Sequence, residues 1–73
     1  MMFTDLIDCF ISRRVDRGEC YKVLEYFFGD HLKAEADSYI ASQTKILFRH
    51  PAFHDDARIK ISFIIEILEQ ESA

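Results

Sequence analysis

Glycine and proline are scarce: the 73 residues hold two Gly, one Pro and no Trp. So few chain breakers exclude collagen-like, low-complexity and linker-rich chains, and nothing in the sequence separates one domain from another. Residues 1–73 therefore read as a single domain. There are only two cysteines, Cys9 and Cys20, without C-x-x-C spacing, so at most one bridge could form within the chain. They read as reduced thiols, one of them core filler. No apolar run exceeds three residues, as in Phe63-Ile64-Ile65, and the Met1-Met2-Phe3-Thr4-Asp5 start has no basic region. Neither a membrane span nor a secretory leader is expected, and a cytoplasmic location follows. Positive charge is also in deficit, nine Lys and Arg against thirteen Asp and Glu, for a net charge of −4. That balance opposes non-specific attraction to nucleic acid or anionic membranes.

What the chain does have is helical periodicity. Phe3, Leu6, Ile7, Phe10 and Ile11 recur at three- and four-residue intervals, with Thr4 as N-cap, which predicts a helix over residues 4–14. Asp16 followed at N3 by Glu19 is a capping signal for a second helix over 17–28. Its expected apolar face is Cys20, Val23, Leu24, Phe27 and Phe28, and Gly29 ends it. Asp30 is positioned to cap a third helix, which carries Leu32, Ala36, Tyr39, Ile40, Ile46 and Leu47 within roughly 120° and stops before Pro51. The C-terminal segment is ambiguous in period, since Ile59, Ile61, Phe63, Ile65 and Ile67 alternate as in a strand. Without a partner strand its backbone would be unsatisfied, so a helix capped by Asp55 or Asp56 is expected.

These segments predict an all-α fold, a small bundle of about four helices in which the third and fourth form an antiparallel hairpin covered on one face by the first two. On the last helix the apolar arc spans roughly 240°. Ile61, Ile64, Ile65 and Leu68 are expected to face the core, and Ile59, Phe63 and Ile67 to bury against another chain. Gln43, at the centre of the third helix's stripe, either meets water or a carbonyl at the core's end or sets register across that interface. The predicted interface is thus Ile59, Phe63, Ile67 and Gln43, in a homodimer.

No motif for catalysis survives inspection. His50, His54, Asp55 and Asp56 are the one metal-like group, but Pro51 interrupts them and no further ligand is fixed by spacing. Gly-rich phosphate loops are absent, and burial of Cys20 would oppose its ionisation. The sequence predicts no enzyme, no cofactor and no metal. The expected role is protein–protein interaction as a small regulator, adaptor or inhibitor, with itself and an unidentified protein as partners. Two alternatives stand beside it. One is a dimeric DNA-associated regulator using Arg13, Arg14 and Arg17, although interleaved Asp8, Asp16 and Glu19 suit a solvated surface better. The other is a chaperone or subunit of a hetero-complex.

Overall fold

In a computed structural model, which describes residues 2–72, every regular element is helical: α1 (Phe3–Arg13), α2 (Arg17–Phe28), α3 (Leu32–Arg49) and α4 (His54–Leu68), with 3₁₀ turns at Gly29–His31, Pro51–Phe53 and Glu69–Ser72. The chain is all-α. The C-terminal segment resolves as helix, as the lack of a partner strand required.

The strongest local signals fall where the sequence puts them. Asp16 caps α2, its carboxylate accepting from the backbone N–H of Gly18 at 3.0 Å and of Glu19 at 3.4 Å. Gly29 ends α2 at φ +49°, a conformation that only a residue without Cβ adopts cheaply. Pro51 opens a short 3₁₀ turn after α3, where its missing N–H leaves no helical bond unmade. Three expected caps are absent. α1 begins at Phe3, one residue before Thr4, and neither α1, α3 nor α4 has a side-chain cap. A 3₁₀ turn over Gly29–His31 takes Asp30 into the connection itself, so its carboxylate cannot sit at the N-cap of α3. Asp55 and Asp56 fall inside the first turn of α4, where they act on the helix dipole instead.

α1 ends unusually. Arg14 is left-handed at φ 53°, with its N–H bonded to Ile11 O at 3.3 Å and the Val15 N–H to Phe10 O at 3.1 Å. This is a Schellman-type end with arginine where glycine is usual. A Cβ in that conformation costs roughly 1–2 kcal/mol, offset in part by the extra unfolded-state freedom of glycine. Arg14→Gly is therefore expected to raise stability by about 0.5–1 kcal/mol in urea unfolding, whereas Arg14→Val should lower it.

The core joins Phe3, Leu6, Ile7 and Phe10 of α1, Cys20 and Leu24 of α2, Leu32, Ala36 and Tyr39 of α3, and Phe63, Ile64 and Ile67 of α4. Phe3 ties two corners, with Phe28 and Tyr39 each 5.4 Å away between ring centroids. Phe27 departs from the expected α2 face. It lies exposed, edge-on to Tyr26 at 5.3 Å.

The faces of α4 differ most from expectation. Phe63, Ile64 and Ile67 are all buried within the chain, while Ile59 and Ile65 are 52% and 44% exposed. At 100° per residue, Phe63, Ile67, Lys60, Ile64, Ala57, Leu68 and Ile61 form one arc of roughly 160°, and all of them are buried or half-buried. Ile59 and Ile65 lie just beyond its two edges. The apolar arc is therefore covered in its middle by the protomer itself, and only its margins reach solvent. Phe63 and Ile67, expected to bury against another chain, pack inside the protomer.

Candidate interaction surface

Two features of α2 and α4 account for that covering. The Arg17 guanidinium lies 4.4 Å from the centroid of the Phe63 ring and 3.6 Å from the Glu66 carboxylate. A cation over an aromatic face is attracted by the ring quadrupole, and the arginine stem shields the ring from water. Lys60, in the middle of the buried arc, reaches out to Asp56 at 3.0 Å and to Asp8 of α1 at 3.5 Å. The hydrogen bond to Asp56 raises its pKa, against the opposing effect of burial, and the Asp8 charge adds to it. A lysine in a core arc is tolerated because its stem packs while both neighbouring carboxylates hold its head.

Gln43 is 7% exposed and lies inside the protomer, lining both a cavity of about 340 Å³ with Lys60 and a smaller one with Phe3 and Tyr39. Its Oε1 and the Tyr39 hydroxyl are buried without a protein partner. Of the four residues expected at an interface, Phe63, Ile67 and Gln43 are thus interior, and Ile59 alone is exposed. The amide is interior because α1 packs on its flank of α3, through Phe3 against Tyr39 and Asp8 to Lys60.

The other candidate groups scatter. His50 lines the 340 Å³ cavity, while His54 is exposed with its Nδ1 3.6 Å from Asp55. Among the described residues no group of three His, Cys, Asp or Glu side chains is placed to hold a metal ion. Cys9 is exposed and Cys20 buried. The Cys20 thiol donates to Val15 O at 3.6 Å, and burial pushes its pKa up to about 11, which keeps it from acting as a thiolate at neutral pH. In the arginine cluster, Arg13 and Arg14 are exposed, but Arg17 is committed to Phe63 and Glu66. Among the described residues Arg13 and Arg14 are thus the members of this cluster without an ion pair.

What sequence reasoning missed is the outer face of α3 and α4. α1 contacts the α3 flank bearing Glu35, Tyr39 and Ser42, and α2 contacts the α4 flank bearing Phe63 and Glu66. Roughly 100° round α3 from Tyr39, and roughly 160° round α4 from Phe63, Ile40, Thr44 and Leu47 of α3 and Ile61 of α4 are half-buried and Ile65 is exposed. Thr44 donates its hydroxyl to Ile40 O at 2.7 Å, so its polar atom is satisfied within α3. Phe48, 80% exposed, borders this face. Its signal was present in the sequence as Ile61 and Ile65, assigned to the core.

No helix among the described residues is long and apolar enough to cross a membrane. Comparison of the chain with protein-family models, with curated proteins and with solved structures finds no match.

Proposed function

We propose that this chain acts through protein–protein contact, as a small regulator, adaptor or inhibitor, and that it does so as a homodimer. The observation that carries the reading is the set of apolar side chains on α3 and α4 that the protomer leaves partly in solvent, Ile40, Leu47 and Ile61 half-buried and Ile65 exposed. In this reading the two helices are an antiparallel hairpin, roofed on one side by α1 and α2 and open on the other. Two open sides packed about a twofold axis would complete a helical bundle with a shared core, a self-complementary arrangement in which each copy offers the same patch. Size points the same way. The accessible surface is 5237 Å², above the roughly 4,700 Å² expected of a compact monomer of this mass, and cores of this size commonly draw on a second subunit for stability.

Ile65 tests the proposal. Its side chain is 44% exposed in the single chain, so a polar replacement costs the protomer little. Sedimentation equilibrium at micromolar concentration should give a dimer for the parent and a monomer for Ile65→Asp, with the helical circular dichroism of the variant retained. A parent that sediments as a monomer would end the homodimer reading. A complex that forms only with a different protein would replace it with the hetero-complex reading.

A further inference from the structure

A second surface lies at the opposite end of α3 from the Pro51 turn. α2, the start of α3 and the end of α4 enclose an open groove of about 560 Å³. Leu32, buried, and Leu68, half-buried, form its floor beside Tyr21. Its rims carry Glu25, Asp30, Asp37 and Glu71. The single cation there, Lys33, is already 3.3 Å from Asp37. Among the described residues no Lys or Arg pairs with Glu25, Asp30 or Glu71. Burial, then the charges of Glu71 and Glu25 and a hydrogen bond to Glu25, raises the Tyr21 phenol pKa.

An apolar floor between unneutralised carboxylates selects its occupant. An acidic or neutral apolar segment would leave the three carboxylates facing low-dielectric contact without partners, which electrostatic complementarity disfavours. A segment with Lys or Arg on both sides of an aliphatic anchor would satisfy floor and rims together. We propose that this groove docks a short basic amphipathic helix of another protein, with one or two aliphatic side chains over Leu32 and Leu68 and its Lys or Arg side chains reaching Glu25, Asp30 and Glu71. The proposal rests on the reading of the chain as an interaction protein and adds the chemistry of the partner. This surface is distinct from the outer face assigned to the dimer, so each can fail alone.

The test is fluorescence anisotropy with a labelled helical peptide of about 14 residues carrying Leu at i and i+4, flanked by Lys. Saturable binding by the full chain is expected, at least about tenfold weaker when Glu replaces Lys in the peptide or Ala replaces Leu, and weakened between about 0.05 and 0.5 M salt. The double variant Glu25→Lys, Glu71→Lys should lose at least about tenfold in affinity, whereas Asp5→Lys, Asp55→Lys, an equal charge change at exposed positions elsewhere, should not. Both variants change exposed side chains, and their circular dichroism verifies the fold. Equal losses in the two variants would reduce the effect to net charge and overturn the proposal, as would absence of saturable binding. Sedimentation of the same variants separates the surfaces: a dimer that fails to bind peptide sinks the groove alone, and a groove variant that becomes monomeric shows the groove to be a self-contact, which also overturns the proposal.

Discussion

Ile67→Ala is expected to destabilise the fold by about 2–5 kcal/mol, and Ile59→Ala by no more than about 0.5 kcal/mol. Both residues lie on the stripe that periodicity alone assigns outward. In the structure Ile67 is 0% exposed among core residues of the other helices, and Ile59 is 52% exposed. Truncating Ile67 removes apolar contacts and leaves a cavity that the surrounding helices close only in part. For a chain this small the total stability is about 4–11 kcal/mol, so the upper end of that loss approaches unfolding. At about 4–8 °C per kcal/mol, thermal melts should separate the two variants by at least about 6 °C. Phe63→Glu sharpens the contrast. It would place a carboxylate at a 5% exposed position while removing the ring beneath Arg17, and should abolish the cooperative transition rather than release an intact protomer. Equal melting temperatures for Ile67→Ala and Ile59→Ala would return Ile67 to the surface.

The contrast also locates where sequence reading stops. Boundaries set by chemistry within a few residues were legible: Asp16 with its two N–H donors, Gly29 with its positive φ, and Pro51 with its missing donor act locally and do not depend on the rest of the chain. The phase of the α4 stripe was not. An apolar arc of roughly 240° admits more than one centre, and the middle of the buried arc holds a charged residue, Lys60. Its tolerance there depends on Asp8, more than fifty positions away in sequence and 3.5 Å away in space. Arg17 covering Phe63 is non-local in the same way. The displaced phase moved the burial with it: Phe63, Ile67 and Gln43 are buried, whereas Ile61 is half-buried and Ile65 exposed. Phe48 and Phe27 show the converse limit, since a large apolar side chain adjoining a stripe need not be inside the protomer.

Alkaline pH should unfold this chain well before general base denaturation, because three interior groups act with the same sign. The Cys20 thiol is raised from 9.0 to about 11, chiefly by burial and against the pull of Arg17. The Tyr39 phenol is raised further above its usual range, first by burial and then by the charges of Asp8 and Asp56, and its hydroxyl has no protein partner. Lys60 is raised by its bond to Asp56. Each group holds its proton more tightly in the folded state than in the unfolded one. The associated stability is therefore complete below the ordinary value of each group and falls as pH climbs from there to the folded value. For Cys20 that window runs from 9.0 to about 11, and at about 1.4 kcal/mol per unit its loss is roughly 3 kcal/mol. Tyr39 and Lys60 steepen the decline above about pH 10. Urea unfolding followed from pH 8 to 11 should show the fall. Cys20→Ala should lower stability at pH 8 by leaving a small cavity yet flatten the slope between 9 and about 11. Tyr39→Phe should be near neutral or stabilising at pH 7, since it removes a buried hydroxyl that bonds to nothing in the chain, and should flatten the slope above about pH 10. A parent whose stability is level from pH 8 to 11, or a Cys20→Ala variant that keeps the parent's slope, would show that the thiol is not sealed in the core where α2 meets α4.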